Sequence, residues 1–113
     1  MLKAVRLGLP GVIVMVFGRM AAKGRLPRNL FAGIRLPSTM RSDEAWRAGH
    51  EAAASSLTTA GVGPIVVALI SAAKNPGGKA QTALSRIADL WLLAWVGVAT
   101  VQANRAARAT SVD

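Results

Sequence analysis

Apolar residues gather in three long segments, and polar stretches separate them. The segments cover residues 2–22, 52–73 and 83–103. The second has 22 residues without a formal charge, which gives about 33 Å of helix against a hydrocarbon core of about 30 Å. Because a backbone in lipid must satisfy its hydrogen bonds internally, the pattern predicts an all-α fold. We expect an integral membrane three-helix bundle with a structured polar loop, residues 23–51, between its first two spans.

The first and third segments contain fewer apolar residues in an unbroken run than the second. The first has an uncharged centre of only 12 residues, from Leu7 to Gly18. It spans the core if the basic side chains at its ends extend outward along their aliphatic stems. The third carries Arg86 and Asp89 in its opening turns, after a turn-forming sequence at residues 74–79.

The composition of the chain excludes several classes of function. Apolar residues make up 52% of the chain and aromatic residues only 4%, which is a poor basis for an ordinary soluble core. The net charge of +9 resides beside the apolar runs, as in membrane proteins, so we expect no direct nucleic-acid partner. The chain has no cysteine and one histidine, which excludes thiolate sites and a zinc site built from several imidazoles. No nucleotide loop, catalytic triad or carboxylate pair is present, so we expect no metal, no cofactor and no enzymatic activity.

The stretch from Asn29 to His50 holds most of the information about function. Its first half contains a glycine and a proline and cannot be one helix. Its second half predicts a helix that begins after an N-cap at Ser42 and continues into the second span. Trp46 and His50 are four residues apart and share one face of that helix at the membrane surface.

The order of residue types in this stretch resembles the SdpI family of small bacterial integral membrane proteins. The matching residues are Asn29, Gly33-Ile34-Arg35, Pro37, Thr39, Ser42-Asp43-Glu44, Trp46 and His50. The sequence departs from the usual family pattern at Leu36, Glu51 and Ala54. The resemblance covers most of the chain and implies a single domain, residues 1–113, with the fold predicted above. It also implies immunity to a secreted peptide toxin and signalling through a cytosolic repressor.

Six residues of the stretch are candidates for binding a ligand or organising the loop: Asn29, Gly33, Arg35, Pro37, Trp46 and His50. Arg35 either holds a carboxylate or lipid phosphate, or clamps the loop, or is simply solvated among basic neighbours. Trp46 is either an interfacial anchor or the wall of a peptide site. For His50 we favour a structural hydrogen bond that ties the start of the helix to the Arg35 loop, over a pH-sensing or catalytic role.

Asp89 is the candidate acid within a membrane span. Intramembrane acids are by default functional. However, its place near the start of the third segment, three residues after Arg86, offers an ion pair and a favourable helix dipole. A structural role is therefore the favoured interpretation.

The distribution of basic residues predicts the orientation. With three spans, the loop and the C-terminus share one side with nine Lys and Arg residues, against five on the other side. The positive-inside rule then places the loop and the C-terminus in the cytoplasm and the protein in the bacterial plasma membrane, as a multi-pass protein. Anionic lipids are expected partners near the loop.

Three functional hypotheses follow. The first is an SdpI-like inner-membrane protein that acts in toxin-peptide immunity or signalling; a lone three-helix copy would then need to form a homo-oligomer or join another membrane protein. The second is an accessory subunit of a larger transporter or respiratory complex, suggested by small residues on the second helix. The third, a pore former, is weakened because no span has a polar stripe.

Overall fold

A computed structural model describes residues 2–26 and 33–110. The described chain forms four helices: α1 (Leu2–Ala22), α2 (Pro37–Met40), α3 (Asp43–Lys74) and α4 (Gly78–Arg108). The three long helices are each long and apolar enough to cross a membrane. The all-α prediction is confirmed, and the structure fits a bundle of three membrane helices. Asn29 lies outside the described residues.

Helix α3 begins and ends at well-defined caps. Ser42 has an extended backbone, and its side chain accepts a hydrogen bond from the Ala45 N–H at 2.9 Å, as the sequence predicts. Asn75 ends the helix in the left-handed conformation, with φ of 44°, and its N–H donates to the Ser71 carbonyl. The 32 residues between these caps give about 48 Å of helix, which exceeds the hydrocarbon core. Residues 43–51 therefore project beyond the apolar stretch 52–73.

Glycines let α1 approach α3 closely. A side chain on Gly61 would collide with the Gly11 carbonyl oxygen, and a Cβ on Gly18 would lie 2.6 Å from Thr58 Oγ1. At Gly8 the added Cβ would lie 3.1 Å from Ala68 Cβ. The small-residue surface of α3 that the sequence suggests for helix packing is thus used within the chain, by α1.

Helix α4 packs against a different side of α3. Ala99 and Ala103 form a buried cluster with Ala53 and Leu57 of α3. Farther along, the Trp91 ring lies against Gly63, and its indole N–H donates to the Thr59 carbonyl at 2.8 Å. Helix α3 is thus the central helix, whereas α1 and α4 share no comparable interface in the part of the chain described.

Candidate functional site

Trp46 and His50 form a buried aromatic pair at the start of α3. Their ring centroids lie 4.1 Å apart, and the side chains are only 2% and 1% exposed. The Trp46 indole N–H donates to the Leu26 carbonyl at 2.7 Å, in the segment that follows α1. The pair that the i, i+4 spacing places on one face therefore packs beneath the polar loop, and its polar atoms bind the loop backbone.

The hydrogen bonds of His50 define its protonation state. Its Nε2 accepts from the Ile34 N–H at 2.9 Å, so this nitrogen carries no proton. Its Nδ1, 2.8 Å from the Trp46 carbonyl, then carries the proton and donates it. Burial lowers the pKa of His50 below 6.5, and the bond to Trp46 opposes this shift only in part. These bonds fit the neutral form of the His50 ring, and the contact expected between His50 and the Arg35 loop is present.

Position 33 requires a glycine, because there is no room for a side chain above this ring pair. Gly33 has a φ of +100°, a backbone conformation that residues other than glycine rarely adopt. An added Cβ would lie 2.9 Å from both His50 Nε2 and the Trp46 ring. Both the backbone conformation and the lack of a side chain let the loop cover the ring pair.

Thr39 holds the other end of the loop and is not among the six candidates from the sequence. It is fully buried, and its hydroxyl donates to the Ile34 carbonyl at 2.6 Å while accepting from the Leu36 N–H at 2.9 Å. Pro37 is the first residue of α2, where its missing N–H costs no hydrogen bond. The sequence signal for Thr39 is its position two residues after the proline, in the first turn of a short helix.

Arg41 and Ser38 connect α2 and its C-cap to the end of α4, and neither residue stands out in the sequence. The Arg41 guanidinium donates to the carbonyls of Ala107 and Thr110, at 2.8 and 3.0 Å. The Ser38 hydroxyl donates to the Asn104 side-chain oxygen at 2.6 Å. Because these partners lie 66 or more positions away, only the fold reveals them.

An open cleft of about 470 Å³ lies beside the aromatic pair. Its lining includes the charged residues Arg25, Asp43 and Arg47, with one edge formed by Trp46 and His50. Arg35 and Pro37 are exposed on the outer surface of the loop and do not line this cleft. The cleft therefore combines a rigid aromatic edge with two guanidinium groups and one carboxylate.

Asp89 lies far from this cleft and deeper than the sequence suggests. Helix α4 begins at Gly78, so Asp89 is not in its first turns. Trp91, two residues later, lies against Gly63 near the middle of the apolar stretch of α3. Asp89 and Arg86 are both exposed, and no ion pair joins them in the described structure. The expected structural place for Asp89, an ion pair near the helix start, is therefore absent from the described structure, because α4 begins at Gly78 and the two exposed side chains do not meet.

The described residues contain no group of three or more His, Asp or Glu side chains that could hold a metal ion. Residues 25–103 match the model of the SdpI/YfhL protein family. That range contains α2, α3 and most of α4, together with the aromatic pair and its loop. No curated protein and no solved structure matches the chain significantly.

Proposed function

The chain belongs to the SdpI/YfhL protein family, and from this premise we propose that it is a non-enzymatic protein of the bacterial plasma membrane that confers immunity to a membrane-active peptide toxin. In this proposal it also signals, through a cytosolic regulator, that the toxin is present. The aromatic pair and its loop form the supporting structure of the binding region, and the cleft beside them accepts a polar group of the peptide.

The observation that carries the proposal is an open, charged cleft beside a loop whose backbone is bonded to the aromatic pair at Leu26 and Ile34. Hydrogen bonds from the backbone of Leu26 and Ile34 to the side chains of Trp46 and His50 fix these two described points of the loop, which lowers the entropy that they lose on binding. Arg25 and Arg47 are both exposed on the cleft, and a guanidinium fork suits the carboxylate of a peptide terminus or acidic side chain. Such a cleft fits recognition better than catalysis, because His50 is already engaged at both nitrogens.

Orientation supports the signalling part of the proposal. The side of the membrane with the loop and the C-terminus carries the excess of basic residues, which favours the cytoplasm. The same basic residues attract anionic lipid headgroups, which would hold the cleft at the membrane surface. A cytosolic regulator and a membrane-embedded peptide could then both reach this end of the protein.

The experiment is a toxin challenge of a sensitive host that expresses the wild-type chain or one of three variants. We expect Arg47→Ala, in the cleft, and Arg35→Ala, on the loop, to reduce protection at least tenfold in the toxin concentration tolerated. Arg105→Ala is the matched control, because Arg105 is exposed in the last turn of α4 and does not line the cleft. It should protect as well as wild type.

Membrane-fraction immunoblots must show equal amounts of all four proteins. Full protection by both Arg47→Ala and Arg35→Ala at equal abundance would exclude this binding region. A wild-type chain that gives no protection would exclude immunity itself.

The alternative is an accessory subunit of a larger membrane transporter or respiratory complex. The exposed apolar surface of α4 favours it, with Leu90 and Leu93 about two-thirds exposed. Purification of a C-terminally tagged chain in mild detergent distinguishes the two. A large partner complex at fixed stoichiometry supports the subunit role, whereas recovery alone or with a soluble DNA-binding regulator supports immunity and signalling.

A further inference from the structure

Two opposite charges, Arg86 and Asp89, lie on the outside of α4 at the depth of the apolar stretch of α3. The contact between Trp91 and Gly63 sets the depth, because Gly63 is near the centre of the apolar stretch 52–73. Asp89 is two residues from Trp91, about 3 Å along the helix axis, and Arg86 is about 4.5 Å farther toward the turn. Asp89 therefore lies within the depth of this apolar stretch, and both residues are exposed on the surface of the single chain.

This position is unfavourable for a protein surrounded only by lipid. Charged side chains in a membrane span normally face a protein interior or a cavity and pair with one another. Arg86 can extend toward the turn end of the bundle, but the short Asp89 side chain cannot reach either interface. Within residues 2–26 and 33–110, no group pairs with either side chain. The two charges need a partner from outside this chain.

The surface around them is suited to another helix. Arg86, Asp89, Leu93 and Gly97 lie at spacings of three, four and four residues, within about 80° of one another around α4. We call these four residues the outer face of α4. Leu93 is 67% exposed, and a Cβ added to Gly97 would have no neighbour within 4 Å. An exposed glycine at this position allows a second backbone to approach closely.

We propose that the outer face of α4 binds the same face of a second copy of the protein, in a parallel pair within the membrane. All copies insert with one orientation, so equal residues lie at equal depth. Arg86 of each copy then lies one helical turn from Asp89 of its partner. A twofold axis forms this ion pair twice, with both charges shielded from lipid.

Charge complementarity is the reason to name a second copy as the occupant. An unrelated helix would need its own acid and base at matching depths, whereas a copy has both by symmetry. The inference requires only that α4 crosses the membrane, and it does not depend on the proposed role in immunity.

The chain contains no cysteine, so a single introduced cysteine reports the contact directly. We would oxidise native membranes that contain Leu93→Cys or the control Ala94→Cys and measure disulfide-linked dimer on gels. Both positions are exposed and lie at nearly the same depth, but Ala94 is about 100° around the helix from Leu93. We expect at least fivefold more dimer from Leu93→Cys. Equal or no cross-linking would overturn the proposal.

A charge exchange tests the ion pair itself. In the Leu93→Cys background, Arg86→Asp gives copies with two acids, and Asp89→Arg gives copies with two bases. Each variant expressed alone should lose most of its dimer through repulsion. Co-expression with different tags should restore a mixed dimer, and a lack of restoration with both variants present in the membrane would overturn the ion-pair arrangement.

Other occupants give different results in the same experiments. An adduct of Leu93→Cys with a different membrane protein, in place of the dimer, would assign the face to a foreign partner. Free monomer at every oxidant concentration would mean that lipid alone covers the face. Either result would overturn self-association.

Discussion

The Ile34 backbone N–H donates to His50 Nε2 at 2.9 Å, which joins the polar loop to a helix residue sixteen positions later. The donor is the main-chain N–H of Ile34, so the bond depends on the backbone conformation of the loop and not on the side chain at position 34. Because the acceptor is an unprotonated nitrogen, the loop depends on the neutral form of the only histidine.

Replacement of this ring should destabilise the loop end of the protein. In His50→Ala, the part-buried Ile34 N–H loses its partner and Trp46 loses the ring packed against it, at a cost of about 2–4 kcal/mol. The measurement is the thermal unfolding midpoint in detergent. Arg47→Ala, three residues earlier and exposed, is the control and should unfold within a degree or two of wild type. Equal midpoints for the two variants would show that the bond contributes little.

Gly33→Ala should be destabilising for a separate reason. The left-handed backbone strain alone costs about 1–3 kcal/mol, and the new methyl group would displace the rings of Trp46 and His50. Gly77→Ala is the matched control, because Gly77 has a φ of −68° and nothing within 4 Å of an added Cβ. Denaturant unfolding of both variants would measure the difference. A Gly33→Ala protein as stable as the Gly77→Ala protein would contradict the described loop conformation.

The stability of the protein should depend on pH near neutrality. The pKa of His50 is lower in the folded state than in the unfolded state, so the unfolded chain binds more protons as the pH falls. Stability is then highest above pH of about 6.5 and decreases as the pH falls through the folded-state pKa. His50→Gln should remove this dependence. Unfolding midpoints between about pH 5 and 8 would show it, since no other side chain ordinarily titrates there in a cysteine-free chain.

The contact between α1 and α3 offers a test that is independent of the loop. Gly8→Cys with Ala68→Cys should form an internal disulfide, because a Cβ added at Gly8 would lie 3.1 Å from Ala68 Cβ and a small separation of the helices brings this to the distance of about 3.5–4.5 Å that a disulfide needs. Adding Gly61→Val should prevent this disulfide, because the new side chain collides with the Gly11 carbonyl. Val62→Ala, at a position 38% exposed, is the control and should retain it. Gel mobility with and without reductant would distinguish the outcomes.

The features that the sequence predicts well are those set by neighbouring residues. Hydropathy and length indicate the three long helices, and the Ser42 cap follows from residue types within one turn. The bond between His50 and the Arg35 loop is also predicted, because no carboxylate near His50 in the sequence is placed to orient it for catalysis. The roles of the candidate ligand residues remain predictions.

The features that could not be predicted depend on how distant segments align. The depth of Asp89 depends on the register between α3 and α4, that is, on which residues of the two helices lie side by side. The contact between Trp91 and Gly63 defines this register. The bonds from Arg41 to the last turn of α4 likewise join positions 66 or more apart. Hydropathy along one helix contains no information about its alignment with the next.

The central place of α3 has a consequence for biosynthesis. Helices α1 and α3 share the glycine-lined contact and both precede α4 in the chain, so they can pair before α4 leaves the ribosome. Helix α4 then docks onto a finished hairpin, and only after this step do the carbonyls of Ala107 and Thr110 become available to Arg41. A nascent chain that has not yet completed α4 would therefore insert with the Arg41 contacts still unmade, so the completion of α4 is the step that fastens this end of the loop.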